Sequence, residues 1–146
     1  MRVFRICREE YSLELVASGR MNRWNKDGQH VIYAAESRAL CALELLAHTN
    51  GVVPAGNYRT MVIEIPETKI EEITDEELPK NWKSVKAYPQ LQRIGSQWYE
   101  ESKQLLLKVP SVLIPSEFNY VINTKHPAFK NVSIASLENF FWDDRL

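Results

Sequence analysis

Cysteine and histidine are scarce in this chain: two cysteines, Cys7 and Cys41, and three histidines, His30, His48 and His126, in 146 residues. The cysteines lie in apolar stretches without metal-ligand spacing, so both are expected as buried, reduced thiols, with a disulfide left open by spacing alone. No two histidines share an element at ligand spacing, and no metal is expected. No stretch approaches the length of a membrane span, and the opening MRVFRICREEYSLELV has no apolar core of signal-peptide length. A cytoplasmic protein with no membrane association is the expectation. The five glycines form neither a dinucleotide fingerprint nor a P-loop, which leaves a Rossmann or nucleotide-triphosphatase fold little support. An excess of charge is also missing. With 18 basic and 19 acidic residues interleaved, the net charge of -1 offers no broad attraction for nucleic acid.

What is present suits one folded domain spanning 1–146. A composition that is 45% apolar and 25% charged is ordinary for a globular protein of this size, long enough to bury a sizeable core. Arg2 to Ile6 reads as an opening strand, with Val3 on one face and Arg5 near the other. ASGRMNRWNKDG is rich in turn formers and reads as a loop ending at Gly28. VIYAA (31–35) is a short buried strand, and Glu36-Ser37 offers a cap for a helix over Arg38 to His48. YRTMVIEIP alternates at strand period, with Met61, Ile63 and Ile65 on one face and Val62 and Glu64 on the other. Pro66 closes it.

The charged KIEEITDEELPKNW has little to bury and reads as a short edge strand and a helical turn. Gln90 to Leu105 carries apolar residues at helical spacing, with Gly95 as a local weakness. LLLKVPSVLIP suggests two strands split or bent at Pro110, and another lies around Asn119 to Ile122. Two principal helices and six or seven short strands that do not alternate with them define an α+β fold. The aromatics of FFWDD near the C-terminus can pack against the domain or against a second copy.

Several polar residues stand where the pattern favours apolar ones. In ALCALELLAH (39–48), Glu44 is the single acid amid apolar residues. It either marks the solvent edge of the helix or is a carboxylate held at a site, where burial demands a cation or donors; Arg23 on the preceding loop is a candidate partner. Arg23, beside Trp24, presents a planar fork suited to phosphate oxygens, or is simply a surface arginine next to a packed ring. Tyr33 is either a core tyrosine or a ring placed to stack on a flat cation. Ser111 is a small hydroxyl entering a buried segment, without the Gly-x-Ser-x-Gly elbow of a hydrolase. The basic residues around Trp82 and Tyr88 are diluted by Glu76 and Glu77 and read as solvated surface.

RWN, Gly28, VIYAAESRALCALELLAH, LPKNW, IGSQW, LKVPSVLIPSEFNYVIN, HPAF and DDRL, in this order, resemble the RES-domain proteins, the toxin half of a bacterial toxin–antitoxin pair. The likeness runs over essentially the whole chain. The family's eponymous arginine, glutamate and serine fall on Arg23, Glu44 and Ser111, its pocket tyrosine on Tyr33, and its N-terminal arginine on Arg5. One departure is Met21-Asn22, where the family often has two glycines, which bears on the loop conformation.

The resemblance implies a compact mixed-sheet fold similar to the ADP-ribosyltransferase toxins, with NAD as substrate rather than cofactor. It implies cleavage of the nicotinamide–ribose bond by hydrolysis or phosphorolysis, or else transfer of ADP-ribose to a protein. The implied partner is an Xre-type helix-turn-helix antitoxin, with operon repression the antitoxin's property. On this basis Arg23, Glu44 and Ser111 are the expected catalytic residues. Arg5 and Arg23 are expected on the pyrophosphate, Tyr33 against nicotinamide, and Ser111 hydrogen-bonded near nicotinamide or ribose. A catalytically weak, antitoxin-binding module is the competing expectation.

Overall fold

The computed structural model describes residues 1–146. Its strands are β1 (Arg2–Arg8), β2 (Val31–Ala35), β3 (Tyr58–Glu64), β4 (Ile70–Glu72), β5 (Leu106–Pro110), β6 (Phe118–Asn123) and β7 (Ser133–Phe140), with helices α1 (Arg38–His48) and α2 (Tyr88–Glu101). The strands form one sheet in the order β4-β5-β6-β2-β1-β3-β7. The β4–β5 pair is parallel and the others are antiparallel. This is the α+β, mixed-sheet architecture expected.

The sheet is nearly divided at its centre. β1 and β3 run in register from Arg2↔Glu64 to Arg8↔Tyr58, and β2 and β6 from Val31↔Asn123 to Ala35↔Asn119. β1 and β2 meet only at Phe4↔Ala35. Backbone groups left unpaired by such a parting need other partners, and Arg5 supplies one: its Nη1 donates to the Tyr33 carbonyl at 3.0 Å. Helix α1 packs on both β1 and β2 where they separate. The alternation of β1 places Val3, Arg5 and Cys7 on one face and Phe4 and Ile6 on the other, so Arg5 leaves the strand on the side of Val3, opposite to expectation.

Three apolar clusters hold the elements. Val3, Ile32, Met61, Ile63, Leu105 and Ile122 fill one; Trp24, Leu91, Trp98, Leu107, Val109 and Val121 join α2 to the sheet in another. Ile6, Ala35, Leu40 and Cys41 seat α1. Full burial of each large side chain contributes roughly 1.5–3 kcal/mol before entropy is counted. The charged segment buries more than its composition suggests, because Leu78 and Trp82 enter the α2 cluster, and Asp75 Oδ1 accepts the Trp82 indole N–H at 2.6 Å.

Element ends show where sequence reading and structure part. Helix α1 begins as expected, with the Ser37 hydroxyl accepting the Leu40 N–H. Helix α2 starts two residues early, around Pro89 in its first turn, and stops at Ser102, which takes a left-handed φ of 51°. Leu105 is therefore outside the helix and fully buried in the sheet core. The second strand expected in LLLKVPSVLIP does not form, because the Ser111 hydroxyl accepts the N–H groups of Leu113 and Ile114 and turns the chain. The strand that completes the sheet edge is instead β7, SIASLENF, whose half-exposed pattern carries a weak periodic signal. At the C-terminus Phe140 and Trp142 pack edge-to-face with centroids 4.9 Å apart, and Phe141 stays exposed. No helix is long and apolar enough to cross a membrane.

Candidate active site

Glu44 lies one turn beyond Leu40 and Cys41, the buried residues of α1, so its side chain shares their sheet-facing side at i, i+3 and i+4 spacing. It is half-buried and forms no ion pair. Two neutral donors hold it: Ser111 Oγ at 2.7 Å and Asn119 Nδ2 at 2.7 Å, both on Oε1. The Arg23–Glu44 pairing considered from sequence is absent. The physical reason is that Arg23 is committed elsewhere, its Nη1 donating to the Trp82 carbonyl at 3.2 Å and its guanidinium lying over the Tyr88 ring, 4.7 Å from the centroid.

Ser111 follows β5 and is fully buried (0% exposed). A hydroxyl has one proton and two lone pairs. Here the proton goes to Glu44 and the lone pairs accept the N–H groups of Leu113 and Ile114 at 3.1 and 3.2 Å. The hydroxyl faces Glu44 with its bonding capacity filled, and direct bonding to a ligand, expected from the resemblance, finds no free donor or acceptor there.

The Arg23 loop is built from its neck inward. The Gly28 N–H donates to the Gly19 carbonyl at 2.7 Å, and both glycines take positive φ, 84° at Gly28 and 75° at Gly19, which side-chain-bearing residues resist. Met21 and Asn22 have no positive φ, so the loop accommodates them without glycine. Asn25, 1% exposed, is the hub: its amide faces the carbonyls of Arg20, Lys26 and Gln29, and its Oδ1 accepts the Tyr33 hydroxyl at 2.6 Å. That hydroxyl in turn accepts the Trp24 N–H at 3.1 Å. Gln29 ties the loop to α2 through Ser96 Oγ at 2.8 Å. Gly95 of α2 lets the Trp24 backbone lie directly against the helix, which converts the apparent weakness in IGSQW into a docking point.

Burial holds the Tyr33 phenol well above its ordinary range, opposed by the Trp24 N–H; Tyr88 and Arg23 are its next electrostatic neighbours. Burial also pushes the Cys41 thiol up to about 11, against the lowering effects of the Ile6 N–H bond and of Arg5, while Glu44 adds to the rise. Arg23, Tyr33 and Tyr88 thus form one group beside the loop. Arg5, Cys41, Glu44, Ser111 and Asn119 form the other, where β1 and β2 part. Arg5 joins the two groups through the Tyr33 carbonyl. Asn119 and Asn25 are not singled out by the sequence; Trp82 and Tyr88, read there as part of a solvated surface, are instead a core residue and the ring beneath the Arg23 guanidinium. The signal for Asn119 was available, as a polar residue inside the apolar strand FNYVIN.

The arrangement brings a fixed carboxylate and Arg5 to the parted seam of the sheet, with Arg23 held at the neighbouring loop by Trp82 and Tyr88. The RES domain family matches residues 2–143, and the chain belongs to that family. A protein of Sphingobium sp. (strain YBL2) named Prs ADP-ribosylating toxin is 37% identical over 128 residues, covering 85% of this chain and 79% of that protein. Toxin Res of Yersinia enterocolitica is 34% identical, covering 85% and 82%. Toxin Res of Photorhabdus laumondii is 30% identical over the whole chain and 97% of its own length. Among solved structures, the MbcT-MbcA toxin-antitoxin complex of M. tuberculosis contains a chain with the same fold, with a TM-score of 0.77 at 14% identity over 95% of this chain and 83% of that one.

Proposed function

We propose that this protein is the toxin of a toxin–antitoxin pair and acts by cleaving the nicotinamide–ribose bond of NAD. The observation that carries the reading is the half-buried carboxylate of Glu44, held by neutral donors with no cation to neutralise it. An anion kept in that state is suited to a positive charge that arises only during reaction. Loss of nicotinamide leaves oxocarbenium character on the ribose, as in glycoside cleavage. The C1′–N bond breaks, its electron pair leaves with neutral nicotinamide, and water or phosphate attacks C1′ and gives up a proton.

Arg5 retains donors beyond the one bonded to Tyr33, and Arg23 retains donors beyond Nη1; both are assigned to the pyrophosphate. The Tyr33 ring, fixed through its hydroxyl, is assigned to stacking on nicotinamide. Because nicotinamide departs neutral, no strong general acid is required. An antitoxin partner of the Xre kind follows from the family resemblance, and a solved structure with this fold is a toxin-antitoxin complex. A second reading, transfer of ADP-ribose to a protein, is favoured by the Sphingobium relative, an ADP-ribosylating toxin.

The test is incubation of the purified protein with NAD labelled in its adenylate half, with and without phosphate and cell lysate. The expected product is free nicotinamide together with ADP-ribose, its 1-phosphate or labelled protein, which also separates the two readings. NAD left intact in every arm overturns both. Glu44→Gln keeps an acceptor for Ser111 and Asn119, so it is expected to fold as the parent does and to lose cleavage by about 10²-fold or more.

A further inference from the structure

The two bonds to Glu44 end on the same atom. Ser111 Oγ and Asn119 Nδ2 each donate to Oε1 at 2.7 Å, while Oε2 takes no bond from the protein and is not among the buried, unpartnered polar atoms. One oxygen is locked and its twin faces solvent. The donors come from well-anchored backbone. Asn119 is paired on both sides in the sheet, with Ala35 of β2 and Val109 of β5. Ser111 is fully buried, and its N–H donates to the Glu117 carbonyl at 2.9 Å. A carboxylate bound this way cannot rotate without breaking two charge-assisted bonds, each stronger than a neutral pair.

We propose that Asn119 is a positioning residue which, with Ser111, clamps Glu44 Oε1 so that Oε2 alone faces the ribosyl centre, and that Ser111 acts through Glu44 rather than on the substrate. This rests on the NAD-cleaving reading above. It reassigns the serine of the family signature from a ligand contact to a buried support, and it adds an asparagine from a strand on which the sequence marked no site.

The groups facing Glu44 are few. Its own helix contributes Cys41, one turn earlier, on which Arg5 of β1 also acts. The segment after β5 and strand β6 contribute its two hydrogen-bond partners, neutral Ser111 and Asn119; the Glu36 carboxylate just beyond β2 accepts the Phe118 N–H, and His48, one turn later on α1, is exposed. Replacing Asn119 by aspartate therefore sets two carboxylates at about one hydrogen-bond length with no cation between them, and one proton must be shared.

The experiment compares the wild type with Asn119→Ala and Asn119→Asp. Steady-state NAD cleavage is measured across pH, and the Glu44 carboxyl is titrated by ¹³C NMR in the absence of NAD. In Asn119→Ala, kcat is expected to fall between about 10- and 100-fold with KM within twofold, as for a catalytic group left loosely placed. In Asn119→Asp the acid limb of the pH–rate profile and the Glu44 titration are both expected to move up by about one pH unit or more. Ser111→Ala also strands the Leu113 and Ile114 N–H groups, so the Asn119 variants carry the test. An alanine variant with kcat within threefold of wild type, or with KM raised and kcat unchanged, overturns the clamp. So does a Glu44 titration that moves in neither variant. Wild-type protein inert toward NAD overturns the functional reading instead, and the NMR titration then judges the clamp alone.

Discussion

The carbonyl of Trp24 rests on Gly95 so closely that a Cβ at position 95 would lie 1.7 Å from its oxygen. Backbone meets backbone here, and neither side has a flexible end to move aside. Gly95→Ala improves intrinsic helix propensity by about 1 kcal/mol, yet it must drive the RWN loop off the helix. The net expectation is a loss of about 1–3 kcal/mol from overpacking, read by urea denaturation, together with reduced NAD cleavage because Arg23 moves with Trp24. A more stable, fully active Gly95→Ala protein would contradict this account of the loop.

Asn25 supports the same loop from below. Its amide faces three backbone carbonyls and its oxygen receives the Tyr33 hydroxyl. Asn25→Ala leaves several buried groups unpaired, at about 1–3 kcal/mol for each one that water cannot reach, and a total loss of about 3 kcal/mol is expected. Tyr33→Phe removes only the hydroxyl and is expected to cost about 1–2 kcal/mol. In the double variant the two losses should not add, since the residues share a bond. Strict additivity in thermal or urea unfolding would show that the bond does not couple them.

Arg23 is held between the Trp82 carbonyl and the Tyr88 ring. Lysine keeps the charge but loses the planar fork that stacks and binds in two directions at once. Arg23→Lys is therefore expected to raise KM for NAD by about tenfold, and Arg23→Ala to abolish growth arrest when the protein is expressed without a partner. Growth arrest that survives Arg23→Ala would remove Arg23 from the site.

Stability should fall on the alkaline side. Cys41 has its thiol pushed up to about 11 from an ordinary value of 9.0, chiefly by burial. The folded state keeps this proton in a range where the unfolded chain has lost it, so the unfolded state binds fewer protons and stability declines as pH rises. The contribution is complete below about pH 9 and is lost between there and about pH 11, at roughly 1.4 kcal/mol per pH unit. Urea midpoints at pH 8, 9 and 10 should fall more steeply for wild type than for Cys41→Ala. Burial raises the Cys7 thiol as well, so both thiols should resist alkylation at pH 8 until the protein is unfolded. Equal slopes in the two proteins would place the alkaline loss elsewhere.

Local pattern was enough for those elements whose ends carry their own chemistry. Ser37 caps α1 at the residue where the polar-to-apolar switch suggested, and VIYAA is β2 from first residue to last. Pattern failed where a distant partner overrode it. LLLKVPSVLIP has strand composition throughout, but the Ser111 hydroxyl draws in two backbone N–H groups and ends the strand at Pro110. SIASLENF has little periodicity and becomes a strand because β3 offers it an open edge. Gly95 looked like a flaw in a helix because the Trp24 carbonyl that needs the space is far away in sequence.

By itself the sequence determined the α+β class, the two helices, most strands and the set of residues worth testing, since periodicity, caps and motif spacing are local properties. Only the tertiary structure decided how those residues meet. It sent Arg23 to Trp82 and Tyr88 rather than to Glu44, gave Glu44 to Ser111 and Asn119, and parted β1 from β2 beside them. The reason is physical: a half-buried carboxylate takes its donors from whatever strands the sheet places next to it, and here those donors, Ser111 and Asn119, lie 67 and 75 residues from Glu44 in the chain.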